Sequence, residues 1–218
     1  MDAISPSTTI VSSQVNVPDN VYKRLFLLFG AFSVLSQLSF LVGYYLLPEG
    51  ILRNSPQTAA GRIAGSANSF WGEFGLTLLF NLGLVTVISI VMNFNQVKGF
   101  PVGYLYPLFL GVFTGLIAGT NSFTSSDITQ YNARDGMALV YSIGNLEMLG
   151  YICVVAATVR FGIYQYQSWW RWSGEYKPVK VMRFQDIRLP REEIVILLVG
   201  IGLVILGAWR ETVFAMGV

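Results

Sequence analysis

Residues 25–47 read LFLLFGAFSVLSQLSFLVGYYLL, twenty-three positions without a charge. As a helix this run rises about 34 Å, enough to cross a hydrocarbon layer about 30 Å thick. Pro48 ends it by restricting Leu47 and withholding a backbone donor. Lys23 and Arg24 stand immediately ahead of it. No basic segment followed by a short apolar core and a small-residue cleavage site occurs, so the run is expected to remain in the mature chain.

Working outward, further apolar runs cover 74–92, 102–119, 137–159 and 194–214. The chain is 53% hydrophobic and 12% charged, with a mean hydropathy of +0.55. A soluble fold with so few charges would expose large apolar patches. The expected fold is therefore all-α, a polytopic membrane helix bundle of about five transmembrane helices with a cytoplasmic N-terminus. Residues 1–22 are expected to form a cytoplasmic arm, and residues 23–218 a single membrane domain.

Orientation follows from the basic residues, which are retained on the cytoplasmic side. Of the 14 Lys and Arg, ten fall beside the arm and the second and fourth connections, and four beside the others. This assigns the loop 48–73 to the outside and the loop 166–192 to the cytoplasm. The latter opens with Trp169, Trp170, Arg171 and Trp172, residue types suited to the headgroup level. Its cations favour anionic lipid. Neighbouring spans account for the aromatics, so a nucleic-acid role is not expected. Val179–Phe184 alternates weakly and is expected to pair as a strand with a partner protein, and Thr58–Ser69 to form a short interfacial helix.

Gly111, Gly115 and Gly119 recur every four positions on one face of the third span, which permits close approach of another helix. That helix belongs to this bundle or to another subunit. Gly200 and Gly207 suggest a second such face. Glu147, about ten residues into the fourth span, is expected near mid-depth, where a charge is costly unless paired, hydrated or neutral. Ser142, Asn145 and Asn81 are its candidate hydrogen-bond partners. Arg210 and Glu211 are expected to pair at the outer interface with groups such as Arg134, Asp135 or Glu73.

With 0 His and 1 Cys, histidine-ligated haem or metal, thiolate clusters and an intrachain disulfide are excluded. No phosphate loop, nucleophile elbow or zinc-binding helix motif is present. The expectation is a non-enzymatic chain with no cofactor. An enzyme acting on lipid would need a polar pocket formed by Glu73, Arg134, Arg210 and Glu211.

Phe80 and Asn81 in the second span, the glycines of the third, Gly144 and Glu147 in the fourth, and Ala208 and Glu211 in the fifth resemble the stage II sporulation protein M family. The fourth-span motif of that family is similar to His-Gly-x-x-Glu; Ile143 stands at the histidine position, which puts any imidazole role in doubt. The resemblance implies a multi-pass membrane component that works in a complex. The functional expectation is thus an integral cell-membrane subunit that packs against lipids and other membrane subunits and helps assemble them. The alternative is a transporter or channel component using Glu147.

Overall fold

Asn20 starts the first helix: its side chain accepts from the backbone N–H groups of Tyr22 and Lys23 at 2.8 and 3.3 Å. In the computed structural model, which describes residues 18–56, 58–59, 63, 65–67, 69–122, 133–134, 137, 144–170, 172, 174 and 176–216, helix α1 then runs Val21–Leu46. It stops where Leu47, ahead of Pro48, turns extended. Ser69 caps α2, Phe70–Met92, by accepting from the Gly72 N–H at 3.2 Å. A 3-10 turn over Val102–Tyr104 leads into α3, Leu105–Gly119. The last two helices are α4, Asn145–Ala157, and α5, Arg191–Met216.

Four segments, those of α1, α2, α3 with its leading turn, and α5, are long and apolar enough to cross a membrane, and α4 is a shorter apolar helix. The expected continuous fourth span over 137–159 needs correction. Gly144 sits at φ +68, in the left-handed region, so α4 begins only at Asn145. Glu147 therefore lies in the first turn of a helix, with the positive end of the helix dipole behind it, and not ten residues into one.

Successive helices run in opposite directions, so the bundle has two ends. At one, the Gly50 N–H donates to the Thr120 carbonyl at 2.6 Å and the Asn121 amide to Glu49 at 2.6 Å, tying the end of α1 to the end of α3. Here too Trp209 of α5 meets Phe70 and Phe74 of α2 edge-on, at centroid distances of 4.9 and 5.6 Å. Of the expected helix over 58–69, only Thr58, Ala59 and Ile63 are described as helical; Gly65 and Ser66 form a turn, Ala67 and Ser69 are non-helical, and the others, like arm residues 1–17, lie outside the described residues.

The other end carries a small sheet that the all-α expectation missed. It contains β1 (Asn95–Val97), β2 (Phe100–Pro101), β3 (Tyr164–Tyr166) and β4 (Val179–Lys180), in the order β2-β1-β3-β4. Lys98 and Gly99, at φ +51 and +80, close the two-residue turn between β1 and β2. β1 and β3 pair in parallel, which joins the α2–α3 connection to the chain leaving α4. The segment expected to pair with a partner protein pairs instead with this chain's own β3, Val179 opposite Gln165 and Lys180 opposite Tyr164.

Inside the bundle, α1 lies along α3 and α4 along α5, while α2 packs on α5 and touches α4. The buried face of α1 is Val21, Arg24, Leu28, Phe32, Ser36, Phe40 and Gly43, a stripe at three- and four-residue steps. Leu28 and Phe32 meet Ile152 and Val155 of α4, and Leu110 of α3 meets Tyr151 and Val204.

Candidate functional site

The two glycine faces place the helices. A Cβ at Gly111 would meet the Phe32 ring at 2.8 Å; one at Gly115 or Gly119 would overlap the backbone of α1. Gly43 answers from α1, a Cβ there meeting the Leu116 carbonyl at 3.1 Å. The α3 face is thus occupied by α1 of the same chain. Likewise, a Cβ at Gly150 would meet the Gly200 carbonyl at 2.7 Å, and one at Gly200 the Gly150 carbonyl at 2.8 Å. The α4–α5 pair is a second close-packed hairpin.

Gly207 has a more specific neighbour. Its missing side chain leaves the space taken by the carboxyl group and Cγ of Glu147, so the one acidic residue of α4 is laid across a glycine of α5. Gly207 lies about 24 Å along α5 from Arg191. Glu147 is 6% exposed, and Glu73 on α2 is 5% exposed. Glu211 of α5 feels the charges of both, and Arg210 acts on Glu147. Among the described residues neither Glu73, Glu147, Arg210 nor Glu211 forms an ion pair. The expected pairing of Arg210 with Asp135 falls outside the described residues. Arg134 is exposed, and among the described residues it forms no ion pair.

Glu73 opens an unusual feature of α2. Its buried positions are Glu73, Thr77, Thr86 and Ser89, followed by Asn93 just past its end. The outward face carries Trp71, Leu79, Leu84, Val87 and Val91. This helix is polar inside and apolar outside. A nine-residue step from Thr77 to Thr86 does not keep one face of an α-helix, but Leu79–Thr86 is a π-helix, whose extra residue per turn restores the alignment. The Thr86 hydroxyl donates to the Asn81 carbonyl at 2.8 Å across that wide turn, and Ser89 to the Val85 carbonyl at 2.8 Å. Asn81 itself is half-buried and contributes through its backbone.

Asn93 ends the stripe. Its amide donates to the Val155 carbonyl at 2.9 Å and to the Thr158 hydroxyl at 2.8 Å, and a Cβ at Gly103 would overlap it. Asn93→Ala is expected to cost about 1–3 kcal/mol by stranding these α4 acceptors, read as earlier thermal unfolding in detergent.

At the sheet end, sequence reasoning missed a buried ionic knot. Arg24 of α1 and Glu193 of α5 are paired with 2% of each side chain exposed. Arg160, just after α4, donates through Nε to the same Glu193 oxygen at 2.9 Å and reaches Asp19 at 3.4 Å. In the sequence Arg24 and Arg160 register only as two of the ten cations that set the orientation. The signal available was the register of Arg24 on the stripe that continues through Leu28, Phe32, Ser36 and Phe40.

Of the remaining expected site residues, Asn145 is half-buried at the start of α4, and Ser142 and Arg171 lie outside the described residues. Trp169, Trp170 and Trp172 are 47%, 61% and 82% exposed beside the sheet. Among the described residues no group of His, Cys, Asp or Glu is arranged to hold a metal ion. No protein-family model, curated protein or solved structure matches the chain.

Proposed function

We propose that this chain is an integral cell-membrane subunit that packs with other membrane proteins and helps assemble or stabilise their complex. In this reading α1, α2, α3 and α5 cross the bilayer, α4, about 20 Å long, lies among them, and the sheet end is cytoplasmic. The charge distribution supports that orientation. Among the described residues the sheet end gathers nine Lys and Arg against four Asp and Glu, while the opposite end has three against four. The resemblance at Gly144 and Glu147 to the stage II sporulation protein M family fits a component of this kind.

The observation that carries the assembly role is how the interior polar groups are spent. Arg24, Arg160 and Glu193, then Asn93 with Thr158, then Asn121 with Glu49 each fasten one helix end to another. Helices fastened at both ends make a rigid scaffold. Among its uncovered apolar surfaces is the outer face of α1, where Phe26, Val34, Leu38 and Tyr45 are all more than half exposed. Gentle extraction in mild detergent at native expression is expected to recover a stoichiometric membrane partner, and α1-face variants such as Leu38→Ser to lose it. A monodisperse lone chain under those conditions contradicts the role.

One set of observations favours a second reading, a proton- or ion-handling component. Buried intramembrane carboxylates without an ion-pair partner are expensive and are retained where they work; Glu73 opens the polar stripe of α2, and Glu211 lies within reach of both Glu73 and Glu147. On this reading Glu147→Gln abolishes flux in reconstituted vesicles at unchanged protein abundance. Lowered abundance with no flux defect returns the residue to a packing role.

A further inference from the structure

The lobe built around the sheet is chemically unlike the rest of the surface. Lys98, Lys177, Lys180, Arg183, Arg188 and Arg191 are all exposed on it, and among the described residues none forms an ion pair. Beside them Trp170 and Trp172 stack at 5.0 Å with most of their surfaces open, and Phe184 is 67% exposed. Lysine on an edge strand such as β4 guards against unwanted strand pairing. That explanation covers Lys180 but leaves the open indole pair without a purpose. Indoles beside unpaired cations match one chemical environment, an acidic headgroup layer over acyl chains.

The lobe also sits at the right height. β1 begins three residues beyond α2, β3 follows α4 by seven, and α5 starts directly at Arg191. The sheet is therefore held against the helix ends. We propose that this lobe is a binding platform for anionic phospholipid headgroups, its cations meeting the phosphates and Trp170 and Trp172 entering the headgroup layer. The proposal rests on the membrane-spanning reading above.

The test uses the full chain in nonionic detergent, titrated with brominated phosphatidylglycerol or brominated phosphatidylcholine, with tryptophan quenching as the readout. A Trp170→Phe/Trp172→Phe variant isolates the signal of this pair. At low salt the anionic lipid is expected to quench at about a hundredfold lower concentration, about fivefold for each of three engaged cations, and the gap should close at high salt. Lys177→Gln/Lys180→Gln/Arg183→Gln removes most of the preference. Arginine at both lysine positions preserves it, which separates lost charge from a damaged fold.

Equal quenching by the two lipids overturns the platform. So does displacement by inorganic phosphate, which would mark a free-anion site. Loss of a co-purifying protein from the triple glutamine variant, with lipid preference intact, overturns it in favour of protein docking. Failure of the membrane reading is separately visible, as a chain that disperses in water without detergent.

Discussion

Gly115→Leu is expected to prevent the folded protein from accumulating. The first atom added at Gly115 lands on the Ser36 carbonyl, the Phe40 backbone nitrogen at 3.0 Å and the Ser39 Cβ at 2.9 Å. Two of these are backbone, and α1 cannot yield locally without losing its own hydrogen bonds. Overpacking against side chains commonly costs about 1–3 kcal/mol, and a backbone obstruction on a glycine seam exceeds that range. Gly115→Ala should give a milder loss of the same kind. Gly30→Leu is the control, since nothing lies within 4 Å of a Cβ there. Thermal unfolding and membrane abundance of the three variants check the order. Equal tolerance of leucine at both glycines would mean that α1 and α3 are not in contact.

Glu193→Gln has the second largest expected effect. It removes the charge that Arg24 and Arg160 share and leaves Arg24 buried without compensation, a loss of about 3–5 kcal/mol. Arg160 is half-exposed and can turn to solvent or to Asp19; Arg24 has no such exit. The paired replacement Arg24→Met/Glu193→Leu should recover most of the stability, because no unpaired charge then remains inside. Unfolding in detergent of the single and paired variants reads the difference. A paired variant no better than the single one would show that the knot contributes more than charge balance.

The helices were legible because a span is a composition signal, and runs such as 25–47 need no partner to be recognised. The glycine face of α3 was legible for a similar reason: Gly111, Gly115 and Gly119 repeat at the helical step. Which helix fills that face is a matter of topology, and four-residue spacing is silent on it. The place of Glu147 within its helix is not legible because Gly144 is, by composition, just another small residue in an apolar run. Its left-handed backbone, from which α4 starts, leaves no trace in hydropathy.

The polar stripe of α2 was hidden by the π-helix. Thr77 and Thr86 fall on different faces of any regular α-helix, so the shared face exists only in the folded backbone. The sheet escaped because strands of two and three residues carry no period. The ionic knot escaped because its members lie far apart in sequence, and loop charges counted for orientation look the same whether they meet or not.

Under the proposed function the bundle crosses a membrane with its sheet end in the cytoplasm. Single cysteines at Asn54, exposed near the end of α1, and at Gln185, exposed on the sheet lobe, place that claim under direct test in a Cys153→Ser background. In intact cells an impermeant thiol reagent should label Asn54→Cys, and label Gln185→Cys only after the membrane is opened. Labelling of both from the same side, or recovery of the chain in the soluble fraction, would contradict the account.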